Sequence, residues 1–237
     1  MTHTGARATN QDALGDASSG TRACFVLADG AGGHLGGEVA ASTVVRAMLT
    51  AFSAAPTASL ASHAQHALTA VSNAQLQHPD QGDMSATVAA LLIDCASAHA
   101  QWLHLGDSRI YLFRQARLLA QTKDHSVTQQ FIDAGLARAD QLRQHAQRNM
   151  LFAAVGAHGD TAPSSSVHTL LPGDALLVCS DGLWEWVLEA QMEATLAQAA
   201  SSSAWLDAMC ALAEPASAAS GKARDNYSAY AVFVGAA

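Results

Sequence analysis

The sequence is poor in charged residues, and that shortage excludes whole classes of protein. Charged residues make up only 14% of the chain, and 12 Lys and Arg stand against 20 Asp and Glu, which gives a net charge of −8. Phosphate backbones and anionic membranes demand clustered cations. An acidic chain without a run of Lys or Arg is therefore expected to have neither a nucleic-acid nor a membrane partner.

Cysteine pairs and long apolar runs are also missing. The four cysteines lie far apart in the sequence, and none belongs to a Cys-x-x-Cys or Cys/His zinc pattern. No apolar run approaches the roughly 18 residues of a membrane helix, and the first residues lack the apolar stretch of a signal peptide. These absences predict free thiols, no disulfide framework and a cytoplasmic location.

The chain does contain many short apolar runs. Hydrophobic residues make up 50% of its 237 residues, but 53 of them are alanine, so the larger side chains must build the core. The length suits one β-rich domain. Strand-like patterns follow one another with turn residues between them. They cover residues 23–28, 87–93, 99–105, 109–114, 118–122, 166–170, 175–179 and 227–234.

Helical patterns are fewer and longer. Residues 37–52 place apolar side chains on one face of a 3.6-residue period, and residues 53–70 indicate a weaker helix. Further helices are predicted at 124–134, capped by Asp124, and at 183–200 and 204–213, whereas 215–222 favours a loop. Strands in meanders with helices between them predict an α+β fold, in which antiparallel sheets carry helices on the outside.

Aspartates recur at the ends of the apolar strands. Asp29 follows one strand, Asp107 and Asp181 follow two others, and Asp225 precedes the last, while Asp12 lies near the start of the chain. A carboxylate beside a buried strand is costly unless a cation neutralises it. One such aspartate is usually a turn or capping residue. Five of them are better explained by hard cations that take oxygen ligands.

The residues around these aspartates resemble five motifs of the metal-dependent serine/threonine protein phosphatases, the PPM or 2C type. The stretch 7–12 (RATNQD) resembles their R-x-x-N-[QE]-D opening, and 28–34 (ADGAGGH) resembles their A-D-G-x-G-G-H loop. Residues 106–109 (GDSR), 180–183 (SDGL) and 225–226 (DN) resemble the remaining three. The ordered set covers nearly the whole chain and resembles the compact bacterial form of the family.

The resemblance implies a four-layer α-β-β-α sandwich, in which two antiparallel sheets are flanked by helix pairs and a dinuclear metal site lies in a cleft at one edge. It also implies one domain over residues 1–237, with a flap beside the cleft somewhere within about 124–170. The motifs 124–126 (DHS) and 145–149 (HAQRN) resemble segments that precede that flap. Where the family often has T-R-A-L-G, residues 152–156 read FAAVG, so no phosphate contact is expected there.

The resemblance assigns the metal ligands by position. Asp29 is expected to bridge two Mn²⁺ or Mg²⁺ ions, one of which also takes the backbone carbonyl of Gly30, where glycine lets the loop turn sharply. Asp12 is expected to assist that first ion, and Asp181 and Asp225 complete the second site. A weaker third ion is expected on Asp107 and Asp181.

The implied reaction is hydrolysis of phosphoserine and phosphothreonine by a hydroxide that bridges the two ions. Arg7, Asp29 and Asp181 are the expected catalytic residues, with Arg7 gripping the phosphate through its planar guanidinium. Ala31 stands where many eukaryotic members have a histidine that protonates the leaving group, which leaves the general acid unassigned. His34 matches a family histidine that we expect to order the loop.

Two functional hypotheses follow. In the first, the protein is a monomeric signalling phosphatase that acts on phosphorylated proteins and reverses a companion serine/threonine kinase. In the second, it is a pseudophosphatase that binds a phosphoprotein without turnover. Because pseudophosphatases typically lose one or more metal carboxylates and this chain keeps all five, the sequence favours the enzyme.

Overall fold

Two antiparallel β-sheets form the centre of the protein. The computed structural model describes residues 1–31, 36–81, 83–157 and 162–235. Their strands, in chain order, are β1 (Thr2–His3), β2 (Asp12–Ser19), β3 (Arg22–Ala31), β4 (Ser85–Ala86), β5 (Val88–Asp94), β6 (His99–Leu105), β7 (Arg109–Arg114), β8 (Arg117–Gln121), β9 (Ser164–Thr169), β10 (Ala175–Cys179) and β11 (Tyr227–Phe233).

The order of the strands brings the two chain ends into one sheet. The first sheet has the order β1-β11-β10-β7-β8, and the second has the order β2-β3-β5-β6-β9, with β4 paired to β3. The predicted meander β5 to β8 is therefore shared between the sheets, since β6 and β7 belong to different ones. The link between β6 and β7 carries Asp107 from one sheet to the other.

Helices cover the outer face of each sheet. They are α1 (Gly36–Ala54), α2 (Leu60–Gln77), α3 (Val127–Asp133), α4 (Asp181–Trp184), α5 (Glu189–Leu196) and α6 (Ser202–Ser220). Serine side chains start three of them, because the hydroxyls of Ser59, Ser126 and Ser201 each accept a hydrogen bond from a free N–H of the first turn.

Three buried clusters define four layers. One joins α1 and α2 to the second sheet, with Val44, Met48 and Phe52 fully buried. A second joins α4, α5 and α6 to the first sheet around Trp205. The third lies between the sheets and contains Leu91, among others. This arrangement confirms the predicted α+β sandwich of two antiparallel sheets flanked by helices.

Two helix predictions were wrong in their boundaries near the site. Asp124 does not cap α3, because it is buried in an ion pair with Arg109, and Ser126 takes its place. The helix predicted at 183–200 is interrupted after Trp184. The side chain of Gln191 accepts a hydrogen bond from the backbone N–H of Leu188 at 2.8 Å, and this contact starts a separate helix, α5.

Two further predictions were wrong in their boundaries, and one strand was missed. The loop predicted at 215–222 is helical up to Ser220, because Ala213 and Ser217 are buried and the helix continues through Pro215. It ends at Gly221, whose φ of +70° is the left-handed conformation that glycine adopts without strain. Strand β2 was not predicted. The weak helix expected at 53–70 begins at Leu60, after the cap at Ser59.

Candidate functional site

The pairing of β2 with β3 brings the first two candidate aspartates together. Asp12 lies directly opposite Asp29 in the antiparallel register. On the other side, the N–H of Asp29 donates to the Thr87 hydroxyl at 2.9 Å, and the N–H of Thr87 donates to the Asp29 carbonyl at 2.8 Å. The backbone of Asp29 is therefore fixed by neighbours on both sides, which aims its carboxylate at the edge of the sandwich.

The other three aspartates come from the ends of strands in the first sheet. Asp181 begins α4 directly after β10, Asp225 precedes β11, and Asp107 lies in the turn between β6 and β7. Their charges act on one another across the site. The carboxyl of the half-buried Asp181 has a pKa well above its usual range, first because of burial and then because of the negative charges of Asp107 and Asp225.

Burial and mutual repulsion also raise the pKa values of the remaining carboxyls. Burial raises the pKa of Asp29 well above its usual range, and the charges of Asp12 and Asp181 add to the rise. Burial raises the pKa of Asp12 to about 6. Burial and the charge of Asp124 raise the pKa of Asp107 to about 7. A cluster that resists losing its protons in this way is one that positive ions would stabilise.

Asp12 has one oxygen with a partner and one without. Its Oδ2 accepts a hydrogen bond from the Ser180 hydroxyl at 2.8 Å, and that hydroxyl accepts one from the N–H of Ser228 at 2.9 Å. The Oδ1 of Asp12 is buried and takes no hydrogen bond from any of the described residues. A cation would satisfy this buried oxygen, which lies beside other carboxyl groups.

Ser180 and Ser228 also contact the site, although the sequence motifs assigned neither residue a role. Both are fully buried, and together they connect β10 and β11 to Asp12. The available signal was a serine in the otherwise apolar and aromatic strand that begins at Tyr227. A hydroxyl buried in such a strand needs a polar partner.

Arg7 lies at the open side of the cluster. Its guanidinium donates two hydrogen bonds to Asp225, from Nε to Oδ1 at 2.9 Å and from Nη2 to Oδ2 at 2.6 Å. The side chain of Arg7 keeps 56% of its surface exposed, against 34% for Asp225. Arg7, the predicted phosphate-binding residue, is therefore paired with Asp225, a predicted metal ligand.

Asn226 holds the N-terminal segment against β11. Its side-chain amide donates to the carbonyls of Thr4 and Thr9 at 2.8 and 2.9 Å. Its side-chain oxygen Oδ1 accepts a hydrogen bond from the backbone N–H of Gln11 at 2.9 Å. These three bonds fix the segment that carries Arg7 and Asp12, so the second residue of the closing D-N motif has a defined structural role.

Gly30 does not lie in a turning loop, as the sequence reading expected, but near the end of β3. Its φ is not in the left-handed region, and what requires glycine is the close approach of α1. A Cβ at Gly30 would lie 2.2 Å from the carbonyl oxygen of Gly37. Ala31 follows at the end of the strand and carries no proton donor. His34 lies outside the described residues.

The described part of the chain contains no three Asp, Glu, His or Cys side chains arranged as the donors of a single metal ion. Arg7 holds Asp225 in a two-point ion pair. The donor chemistry still fits hard divalent cations, because the side-chain donors are carboxylate oxygens and the Oδ1 of Asp12 lacks any other partner.

A buried ion pair between Arg109 and Asp124 stabilises the turn that carries Asp107. Arg109 donates to both oxygens of Asp124, each at 2.8 Å. The same guanidinium lies over the ring of Trp184, whose indole N–H donates to the carbonyl of Asp107 at 2.9 Å. The N–H of Gly106 donates to His125 Nδ1 at 3.1 Å. The GDSR and DHS motifs therefore bind each other and fix the turn that presents Asp107.

Comparison with known proteins shows the family of the chain. The sequence profile of the family described as Protein phosphatase 2C matches residues 1–224. The chain is 34% identical over 181 residues to the serine/threonine protein phosphatase PstP of Mycobacterium tuberculosis, which covers 75% of this chain and 34% of that protein. It therefore spans about a third of the length of PstP.

Two further matches cover most of this chain and most of the protein that it is compared with. The chain is 30% identical over 179 residues to the serine/threonine phosphatase stp of Listeria innocua, covering 72% of this chain and 70% of that one. The crystal structure of the PstP catalytic domain in complex with two manganese ions superposes with a TM-score of 0.81 at 27% identity. That match covers 99% of this chain and 96% of the other. None of the described helices is both long and apolar enough to cross a membrane.

Proposed function

Because the chain belongs to the protein phosphatase 2C family, we propose that it is a metal-dependent protein phosphatase. It hydrolyses phosphoserine and phosphothreonine in proteins and reverses a serine/threonine kinase. The observation that carries this proposal is the convergence of five aspartates, Asp12, Asp29, Asp107, Asp181 and Asp225, at one edge of the sandwich beside Arg7. The charges of the other four aspartates raise the pKa of Asp29. Burial also raises the pKa values of Asp12, Asp107 and Asp181.

The proposed metal ligands are those that the motifs predict. Asp12 and the Gly30 carbonyl would hold one ion, Asp181 and Asp225 would hold the other, and Asp29 would contribute to both. Asp107 and Asp181 are proposed to hold a third ion. The orphaned Oδ1 of Asp12 supports an ion on its side of the cluster, and the two manganese ions named for the PstP catalytic domain support Mn²⁺ or Mg²⁺ as the cofactor.

The residues of this chain bind and orient the phosphate. Arg7 is the exposed cation at the mouth of the cluster, and its planar fork matches two phosphate oxygens as it now matches the two oxygens of Asp225. When bound, two divalent ions supply a water of lowered pKa and neutralise phosphate charge. Ala31 offers no proton, so we propose that the leaving serine or threonine oxygen takes its proton from water.

The test is turnover with and without metal. Purified protein is expected to release phosphate from phosphoserine and phosphothreonine peptides, and to cleave p-nitrophenyl phosphate, in the presence of Mn²⁺ or Mg²⁺ and not after chelation. Asp207→Asn is the matched control, because Asp207 is an exposed aspartate on α6 away from the cluster. Equal rates with and without chelator would contradict the proposal. Phosphopeptide binding without turnover would instead indicate the pseudophosphatase.

A further inference from the structure

Five residues from three distant parts of the chain form a closed ring of hydrogen bonds that includes Asp12. In its first arm, the N–H of Asp12 donates to Asn10 Oδ1 at 3.1 Å, and Asn10 Nδ2 donates to the Thr2 hydroxyl at 2.8 Å. In the second arm, Asp12 Oδ2 accepts from the Ser180 hydroxyl, which accepts from the N–H of Ser228. The ring closes because the Ser228 hydroxyl donates to the Thr2 hydroxyl at 2.7 Å.

Thr2 is the residue at which the two arms meet. Its hydroxyl oxygen accepts hydrogen bonds from both Asn10 and Ser228. Thr2 lies in β1 directly opposite Ser228 in β11, so the pairing of these two strands brings the two hydroxyls together. Thr2 itself is exposed. Through one arm it nevertheless holds the backbone of Asp12, and through the other it holds the carboxylate.

The ring also decides which oxygen of Asp12 is left for a cation. Because the Ser180 oxygen accepts from the N–H of Ser228, its own proton is directed at Asp12 Oδ2. The other oxygen, Oδ1, is the buried one that no described residue bonds. A carboxylate whose second oxygen is hydrogen-bonded in this way is held in one orientation toward an ion.

Resting on the proposed function, we propose that Thr2 is a positioning residue for Asp12 as a metal ligand. The two arms that start at Thr2 keep Asp12 Oδ1 turned toward the ion. A carboxylate that is already oriented loses less conformational freedom when the ion binds, so the ion binds more tightly. Because such coupling is reciprocal, an ion beside Asp12 also strengthens the pairing of β1 with β11.

Calorimetric titration of the metal-free chain with Mn²⁺ tests the positioning. Thr2→Val keeps the shape of the side chain but removes the hydroxyl, and it should weaken Mn²⁺ binding about 3- to 10-fold, the range for a neutral hydrogen bond. Thr2→Ser keeps the hydroxyl and should bind Mn²⁺ like the wild type.

Thr4→Val is the matched control for this titration. Thr4 lies in the same segment with an exposed side chain, and it accepts hydrogen bonds from Arg7 and Asn226 through its backbone carbonyl, which the substitution keeps. Wild-type Mn²⁺ affinity in Thr2→Val, or equal weakening in Thr4→Val, would overturn the proposal.

Ser228→Ala tests whether the second arm carries part of the effect. It removes one of the two hydrogen bonds to Thr2 and leaves the N–H of Ser228 on Ser180, so it should weaken Mn²⁺ binding less than Thr2→Val does. The double variant should bind no more weakly than Thr2→Val, because both changes break the same ring. Additive losses of affinity would show that the two residues act separately and would contradict the ring.

Hydrogen exchange measures the reciprocal effect without turnover. The N–H of Ala229 donates to the carbonyl of Met1 at 2.9 Å, so its protection depends on the pairing of β1 with β11. Mn²⁺ should slow its exchange about 3- to 10-fold in the wild type and much less in Thr2→Val. Equal slowing in both proteins would overturn the proposal, because the ion would then act without Thr2. Failure of the wild type to bind Mn²⁺ would instead refute the proposed function.

Discussion

Arg7 and Asp225 form a two-point ion pair across 218 residues of sequence, with Nε–Oδ1 at 2.9 Å and Nη2–Oδ2 at 2.6 Å. Asp225 also accepts a hydrogen bond from the N–H of Asn226 at 2.9 Å. Because both carboxylate oxygens of Asp225 accept hydrogen bonds from the Arg7 guanidinium, neither oxygen is free to bind a metal ion while the ion pair is formed. On the proposed assignment, a metal ion and Arg7 would therefore compete for Asp225, and Arg7 would have to leave that carboxylate to bind phosphate.

Replacing Arg7 should separate these two roles. Arg7→Ala removes the competitor and one positive charge, so Mn²⁺ should bind up to about fivefold tighter in the absence of substrate, the range expected for an exposed ion pair. The same variant should raise KM for a phosphopeptide, because the phosphate loses its bidentate partner. Calorimetric titration with Mn²⁺ and steady-state kinetics measure the two effects. Weaker Mn²⁺ binding in Arg7→Ala would show that no competition exists.

Neutralising a central aspartate should cost activity and increase metal-free stability. Asp29→Asn or Asp181→Asn removes a carboxylate that burial and its neighbours disfavour, so unfolding in denaturant with chelator present should require about 1–2 kcal/mol more. Turnover should be lost, and added Mn²⁺ should stabilise the variant less than the wild type. The exposed Asp207→Asn control should change neither quantity. A variant that keeps wild-type turnover would contradict the ligand assignment.

The metal should stabilise the protein more at high pH than at low pH. The pKa values of Asp12 and Asp107 rise to about 6 and 7 in the folded protein. Raised carboxyl pKa values contribute stability below pH 4 that is lost as pH increases through 6 to 7. Because metal ions bind the deprotonated carboxylates, the rise in Tm on adding Mn²⁺ should be larger at pH 8 than at pH 5. An equal or smaller rise at pH 8 in thermal unfolding would contradict this.

The glycine in β3 should tolerate no side chain. Gly30→Ala places a methyl group 2.2 Å from the Gly37 carbonyl oxygen, which forces β3 and the start of α1 apart. Overpacking of this kind should cost about 2–3 kcal/mol of unfolding free energy. Gly235→Ala is the control, because no atom of the described residues lies within 4 Å of the added methyl group. Equal denaturant midpoints for the two variants would show that the helix adjusts without cost.

Sequence reasoning succeeded where the signal was local. The apolar runs that became β5, β6, β7 and β10 were recognised within about one residue, because both faces of these strands are buried. The edge strand β2 was not predicted, because its residues DALGDASS show no strong alternation of apolar and polar side chains. It is a strand because it pairs with β3. The break between α4 and α5 also escaped, since it depends on the Gln191 side chain.

The sequence by itself determined which residues are the candidates for the chemistry: the five aspartates, Arg7 and the glycine beside Asp29 are all read from short motifs. The tertiary structure alone decided which groups meet. It placed Asp12 opposite Asp29, Arg7 on Asp225 and Ser180 on Asp12. Motifs and periodicity report on neighbours along the chain, whereas an ion pair or strand register between distant residues depends on how the sheets pack. That packing is fixed only when the whole core forms.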